Sequence, residues 1–184
     1  MNSLTLSNAA PSRARRVARA FWRHHADMWR HVARRWYLYA LLALFGVGAA
    51  HYVGINLTNS VPERVVWLEY GAQPARGDLI AFRFEATSGP AAPLNGMRWL
   101  KRVKGLPGDR ITVSGREVYV NDLLIGTAIE RTGRGSPLHP IAAGTIPAGY
   151  YFIGGSSHES LDSRYSEVGL VRSEQVLARA HAFF

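Results

Sequence analysis

The 184-residue sequence has no cysteine. That single absence removes disulfide staples, thiolate zinc sites, iron–sulfur clusters and cysteine nucleophiles together. Lysine is almost absent as well: of 22 basic residues only Lys101 and Lys104 are lysines, and every other one is arginine. No internal repeat or long low-complexity tract occurs. No His-x-x-x-His pattern or carboxylate cluster stands at metal-ligand spacing, so neither a metal nor a cofactor is expected. What remains is ordinary for a folded chain. Hydrophobic residues make up 47% and charged residues 19%, which excludes disorder throughout and leaves room for one modest domain with appendages.

Acidic residues number only 13, and the formal net charge is +9. Such a balance invites a nucleic-acid reading, but the excess is not spread over the chain. Residues 1–35 hold eight arginines against Asp27 alone, and the rest of the chain is close to neutral. The basic segment ends where an uncharged run begins, Trp36 to Ile55, which as a helix would span about 30 Å, the thickness of a bilayer core. Aromatic residues flank the run at both ends, as at membrane interfaces. Three segments are therefore expected: an Arg-rich cytoplasmic tail (1–35), a single transmembrane helix (36–55) and an exported domain (56–184). The positive-inside rule places the amino terminus in the cytoplasm, and no nucleic-acid partner is expected. A buried core helix, or an amphipathic helix lying on anionic lipid, are the other readings of these segments.

Beyond Asn56 the texture is β. Short runs rich in Val, Ile, Tyr and Phe alternate with Gly, Pro and Asn-Asp turns. Strands are expected at Val65–Glu69, Asp78–Phe84, Met97–Lys104, Arg110–Val113, Glu117–Val120, Leu123–Thr127 and Tyr150–Gly154, with a last one near Gln175–His181. Ser114-Gly115 and Asn121-Asp122 are hairpin chemistry, so the fold class is mainly β with a mostly antiparallel sheet. Long Pro/Gly/Ser-rich loops are expected at 86–95 and 131–145.

Three stretches of the exported domain carry chemistry. Asn56-Leu57-Thr58-Asn59-Ser60-Val61-Pro62 sets a serine two residues before a proline that holds the backbone extended. Lys101-Arg102-Val103-Lys104-Gly105-Leu106-Pro107-Gly108-Asp109 holds both lysines. In a chain that otherwise uses arginine, a lysine marks a task arginine cannot perform, which is losing a proton. Strand alternation puts Lys101 on one face with Trp99 and Val103, and Lys104 on the other with Arg102; a lysine among apolar neighbours has its ammonium disfavoured by desolvation and can serve as a general base. Ser160-Leu161-Asp162-Ser163-Arg164-Tyr165, after Gly154-Gly155, offers groups that orient a catalytic side chain or form a structural ion pair. Either lysine facing solvent, and Ser60 in a mere connector, are the plain alternatives.

Together the three stretches resemble the serine/lysine-type signal peptidases, and the Asn-x-Thr-x-Ser-x-Pro form is most similar to the conjugative-transfer, TraF-type branch. Two places depart from it: Pro62 is followed by Glu63-Arg64, and Gly155-Ser156 stands where many relatives have Gly-Asp. The resemblance implies Ser60 as nucleophile and Lys101 as general base. It further implies Ser160 as the hydroxyl orienting the lysine amine, Asp162 and Arg164 as a pair holding the last box, and Thr58 as an oxyanion donor beside the Ser60 N–H. It implies an enzyme of the bacterial inner membrane with a periplasmic catalytic domain, a membrane-anchored serine endopeptidase. Its substrate would be an exported preprotein, in this branch a conjugative pilin precursor whose product is in some cases cyclised, and its partners the lipid bilayer and the conjugative transfer machinery. A general secretory signal peptidase of the same chemistry, and a non-enzymatic single-pass protein of pilus assembly, are the competing classes. A Ser60–His158–Asp162 triad is the competing chemistry.

Overall fold

Short apolar-rich runs from Val53 to Ala182 build two antiparallel sheets, and the chemistry lies on the larger one. The computed structural model describes residues 13–86 and 89–183. Residues 1–12 of the expected tail, residues 87 and 88 of the expected first loop and residue 184 lie outside the described residues. The chain divides into two units, Met1–Ala49 and Ala50–Phe184.

Helix α1 runs from Arg13 to Tyr52, with Arg35 at non-helical φ −122° and ψ 19°. Its first part carries an exposed Arg30–Asp27 pair one turn apart, 2.5 Å between Nη2 and Oδ1, worth a few tenths of a kcal/mol, about 0.2–0.5. The expected transmembrane helix at 36–55 is corrected here. No helix among the described residues is long and apolar enough to cross a membrane. The uncharged stretch stops being helical at Tyr52, and Val53–Ile55 form strand β1 instead. What remains of the run begins after Arg35 and includes Trp36, Tyr37, Tyr39, His51 and Tyr52, which dilute its apolar character.

The second unit contains β1 (Val53–Ile55), β2 (Val65–Tyr70), β3 (Leu79–Arg83), β4 (Arg98–Gly105), β5 (Arg110–Ser114), β6 (Glu117–Val120), β7 (Leu123–Thr127), β8 (Gly144–Thr145), β9 (Tyr150–Gly154), β10 (Val171–Arg172) and β11 (Val176–Ala182). The large sheet has the order β1-β2-β11-β3-β4-β9-β10 and the small one β7-β6-β5-β8. Every pairing between these strands is antiparallel. The eight expected strands are present within one or two residues of their expected ends, and β1, β8 and β10 are additions. The 86–95 segment contains a 3-10 turn, Gly89–Leu94. The Asn121-Asp122 hairpin turn has φ of 48° and 64°, the doubly left-handed geometry whose twist matches that of the flanking strands.

Burial follows the alternation. In β4, Lys101, Val103 and Gly105 are buried while Arg102 and Lys104 are only partly covered. Ile80, Phe82, Val103, Ile153 and Tyr165 form the central core. A second cluster of Val61, Val66, Leu68, Leu79 and Ala180 lies on β2, β3 and β11. Val61, 1% exposed, anchors the segment after Ser60 into it, and burying such a side chain contributes about 1.5–3 kcal/mol. The small sheet supplies Ile111, Val118 and Val120, which with Ile146 and Phe152 make the third cluster.

The end of β4 meets this third cluster at Gly105. A Cβ there would lie 2.6 Å from Ile146 Cδ1, 2.9 Å from Phe152 Cβ and 3.2 Å from Val120 Cγ1, so the close approach requires a residue without one. Asp109 then ties the turn: Oδ2 accepts from the Leu106 amide at 2.6 Å and from Arg76 Nη2 at 2.5 Å, and Oδ1 accepts from Asn121 Nδ2 at 2.6 Å. Gly105→Ala is expected to destabilise the domain by about 1–3 kcal/mol, read as a lower urea midpoint with an unchanged slope.

Candidate functional site

Residues 56–64 form a loop between β1 and β2 that is closed at its neck by Asn56. The Asn56 amide N–H donates to Arg64 O at 2.8 Å. Its buried side chain donates from Nδ2 to Val61 O at 3.1 Å and Glu63 O at 2.9 Å. Oδ1 accepts from the Thr58 backbone N–H at 3.0 Å and from Thr58 Oγ1 at 2.8 Å. Ser60 stands at the far side of the loop, half-buried, with its Oγ 2.9 Å from Thr58 Oγ1.

Lys101 comes from the middle of the large sheet, opposite Ile80 of β3, and is 3% exposed. Its Nζ donates a short hydrogen bond to Ser160 Oγ and lies 5.4 Å from the centre of the Trp99 ring, two residues back on the same face. Burial lowers the Lys101 pKa from 10.5 to about 8; Asp162 pulls it up and Arg164 pushes it further down. Desolvation dominates because taking an ammonium out of water costs more than one carboxylate that is already paired returns.

The last box reaches this lysine through a buried ion pair. Asp162 Oδ1 accepts from Arg164 Nε at 2.8 Å and from the Arg164 amide at 3.1 Å; Oδ2 accepts from Arg164 Nη2 at 3.0 Å and from the Gly155 amide at 2.9 Å. Arg164 Nη2 also donates to Ser160 O at 3.0 Å, and Nη1 to Thr127 O at 3.2 Å. The pair therefore holds the backbone of the residue that bonds Lys101. Gly155 lets this box close on the serine loop. A Cβ on it would lie 2.6 Å from Ser160 Cβ and 2.9 Å from Ser60 O, and the next amide, Ser156 N–H, donates to Ser60 O at 2.8 Å. Ser156, one of the two departures from the resembled pattern, thus contributes through its backbone.

Ser60, Lys101, Thr58 and Ser160 line one cavity of about 800 Å³, together with Asn56 and Trp99. Asp162 and Arg164 lie behind that wall. All six site residues expected from the sequence are thus gathered in one place. Lys104 lies outside it. His158 is exposed and does not line the cavity, and both Asp162 oxygens are taken by Arg164 and Gly155, so a Ser60–His158–Asp162 triad is not assembled. A hydroxyl and a desolvated amine in one partly apolar cavity are the parts for nucleophilic attack assisted by a general base.

Two contributors carried no role in the sequence reading. Asn56 stood in the quoted motif, but its bonds to residues two, five and seven positions on are a property of the folded loop; its even spacing from Thr58 and Ser60 was the only signal. The second is an ion pair between Arg102 Nη2 and Glu63 Oε1. It joins the residue after Lys101 to the residue three after Ser60. Glu63 Oε2 is buried without a hydrogen-bond partner among the described residues.

Removing Arg164 would leave the Asp162 carboxylate buried and uncompensated, which costs about 3–5 kcal/mol. Arg164→Leu is therefore expected to lower the unfolding free energy by that amount, measured by urea titration at pH 7.

The family model for signal peptidase, peptidase S26, matches residues 29–184. The signal peptidase I of Rickettsia canadensis is 29% identical over 147 residues, 60% of this chain and 52% of that protein. The signal peptidase I of Pseudomonas aeruginosa is 28% identical over 144 residues, 59% and 48% of the two chains. The chain spans about half the length of these relatives. A crystal structure of a signal peptidase I from Enterococcus faecalis V583 aligns at 25% identity with a TM-score of 0.36, covering 59% of this chain and 97% of that one. With the match running from the last turns of α1's first part through both sheets, the chain belongs to the signal peptidase, peptidase S26, family.

Proposed function

We propose that the domain of residues 56–184 is a serine endopeptidase that cleaves exported preproteins, with Ser60 as nucleophile and Lys101 as general base. The observation that carries this reading is the buried Lys101 amine, with its pKa near 8, in the same cavity as Ser60. Neutral Lys101 takes the Ser60 proton as Oγ attacks the scissile carbonyl. The tetrahedral intermediate then expels the new amino terminus, which leaves with the proton held on Nζ, and an acyl-Ser60 remains. Water, deprotonated in turn by Lys101, releases the carboxyl product. The Ser60 backbone N–H is the first candidate for the oxyanion, and Thr58 the second. Ser160 fixes the amine, and Asp162 with Arg164 fixes Ser160.

Within this class, the Asn56-x-Thr58-x-Ser60-x-Pro62 form supports a conjugative-transfer peptidase acting on a pilin precursor. There the acyl group would pass either to water or to the substrate's own amino terminus, giving a cyclic product. A general secretory peptidase is the second reading, favoured by the names of the relatives. The two separate on intact mass of a candidate pilin precursor co-expressed with the enzyme: a processed product, lighter by one further water when cyclised, supports the first.

Ser60→Ala is expected to abolish cleavage and leave the fold intact. Lys101→Ala and Lys101→Arg should both lose at least about 10²-fold in kcat, since a guanidinium stays protonated, and retained activity in Lys101→Arg would reject the lysine as base. Because the reactive form is the neutral amine, kcat/KM should rise with pH through about 8 and level off above it, measured with an internally quenched peptide.

A further inference from the structure

The hydrogen-bond partners around Asn56 determine which way the Thr58 and Ser60 hydroxyl protons point. Nδ2 faces two carbonyl oxygens, Val61 O and Glu63 O, and a carbonyl only accepts. The amide nitrogen must therefore stand on that side. Oδ1 faces the Thr58 backbone N–H, which only donates, so the same orientation follows independently. Thr58 Oγ1, 2.8 Å from Oδ1, meets a pure acceptor and spends its single proton there. Toward Ser60, 2.9 Å away, Thr58 is left with lone pairs only. Ser60 has to be the donor. The chain of protons runs Ser60 Oγ–H to Thr58 Oγ1, then Thr58 Oγ1–H to Asn56 Oδ1.

We infer that Asn56 is a positioning residue for the nucleophile: by holding the Thr58 proton it makes Thr58 an acceptor, and so keeps the resting Ser60 proton on Thr58 and away from Lys101. The inference rests on the Ser60–Lys101 reading above. Two consequences follow. At rest the Ser60 proton points to Thr58, and it has to leave that acceptor before neutral Lys101 can take it. And Thr58 donates to an oxyanion only after releasing Asn56, so it is not a preformed donor. Of the other charged and titratable groups around the pair, Asp162 and Arg164 bond each other and Ser160, Arg102 bonds Glu63, and Arg64 bonds Asn59 Oδ1 and Thr58 O, while His51, Arg98 and Glu159 line the cavity wall.

The test is the pH profile of kcat/KM for the full-length chain, with an internally quenched peptide carrying small residues before the scissile bond. In Thr58→Val the Ser60 hydroxyl loses its acceptor on the loop and is free to turn toward Lys101 in the shared cavity, and a hydrogen bond to the neutral amine favours that form. The acid limb should then move to lower pH by about half a unit or more, while Thr58→Ser should keep it where wild type has it. Asn56→Ala frees the Thr58 proton to turn toward Ser60, so it should move the limb in the same direction, and the double variant with Thr58→Val should move it no further. That non-additivity separates proton direction from loop bracing, because the clamp on Val61 O and Glu63 O does not involve the Thr58 hydroxyl. If Asn56→Ala does not fold, the Thr58→Val and Thr58→Ser pair decides alone. A limb unmoved in Thr58→Val overturns the inference, including when kcat falls about 10²–10³-fold as for loss of an oxyanion donor. Hydrolysis that persists in Ser60→Ala removes the dyad itself, and the inference with it.

Discussion

An amine buried in the middle of a β-sheet is the constraint around which the second unit is organised. Lys101 lies on the covered face of β4 between β3 and β9, where its charged form is disfavoured. The surroundings do not neutralise it with a dedicated carboxylate. Asp162, the nearby acid, is already bonded to Arg164; the two act on Lys101 in opposite directions, and burial outweighs both and lowers its pKa to about 8. An unpaired Asp162 would hold Lys101 as an ammonium; the guanidinium beside it prevents that. The ion pair thus adjusts a proton affinity that burial sets, while also bracing a loop.

The serine loop meets this amine through backbone contacts as much as side chains. Val61 is sunk in the core on one side of Ser60, Asn56 closes the loop at its neck, and Ser60 O accepts from the Ser156 amide. The Arg102–Glu63 pair connects the loop to the strand that carries Lys101. Because its carboxylate is buried with one oxygen unpartnered, this pair is weak evidence for stability. It bears more directly on registry, since it joins the neighbours of both reactive residues.

Much of the fold was legible in the sequence because its signals are local. Runs rich in Val, Ile, Tyr and Phe located strands at Val65–Glu69 and Tyr150–Gly154, and the Asn121-Asp122 turn declared its hairpin. The face assignment of Lys101 with Val103 follows from strand alternation. Where local pattern misled was at Val53–Ile55. That triplet continues an apolar run and reads as helix, but its backbone groups pair with Val65–Trp67, a partner ten to fourteen residues away that no window centred on the run contains. The two-residue strands β8 and β10 were unreadable for the same reason, since pairing alone defines them.

The sequence by itself determined the chemical vocabulary: a serine before a proline, two lysines among arginines, no thiol, and a glycine pair before an Asp-Ser-Arg segment. These are choices of side-chain chemistry and need no third dimension to be read. Only the tertiary structure decided how they act. Lys101 titrates near 8 because burial in the sheet desolvates it, and burial is a sum over neighbours distant in sequence. Gly155 is required because Ser160 and Ser60 O close on it. The direction of the Ser60 proton is set by Val61 O, Glu63 O and the Thr58 amide acting through Asn56. Hydrogen-bond polarity passes from donor to acceptor through space, and it exists only once the loop has closed.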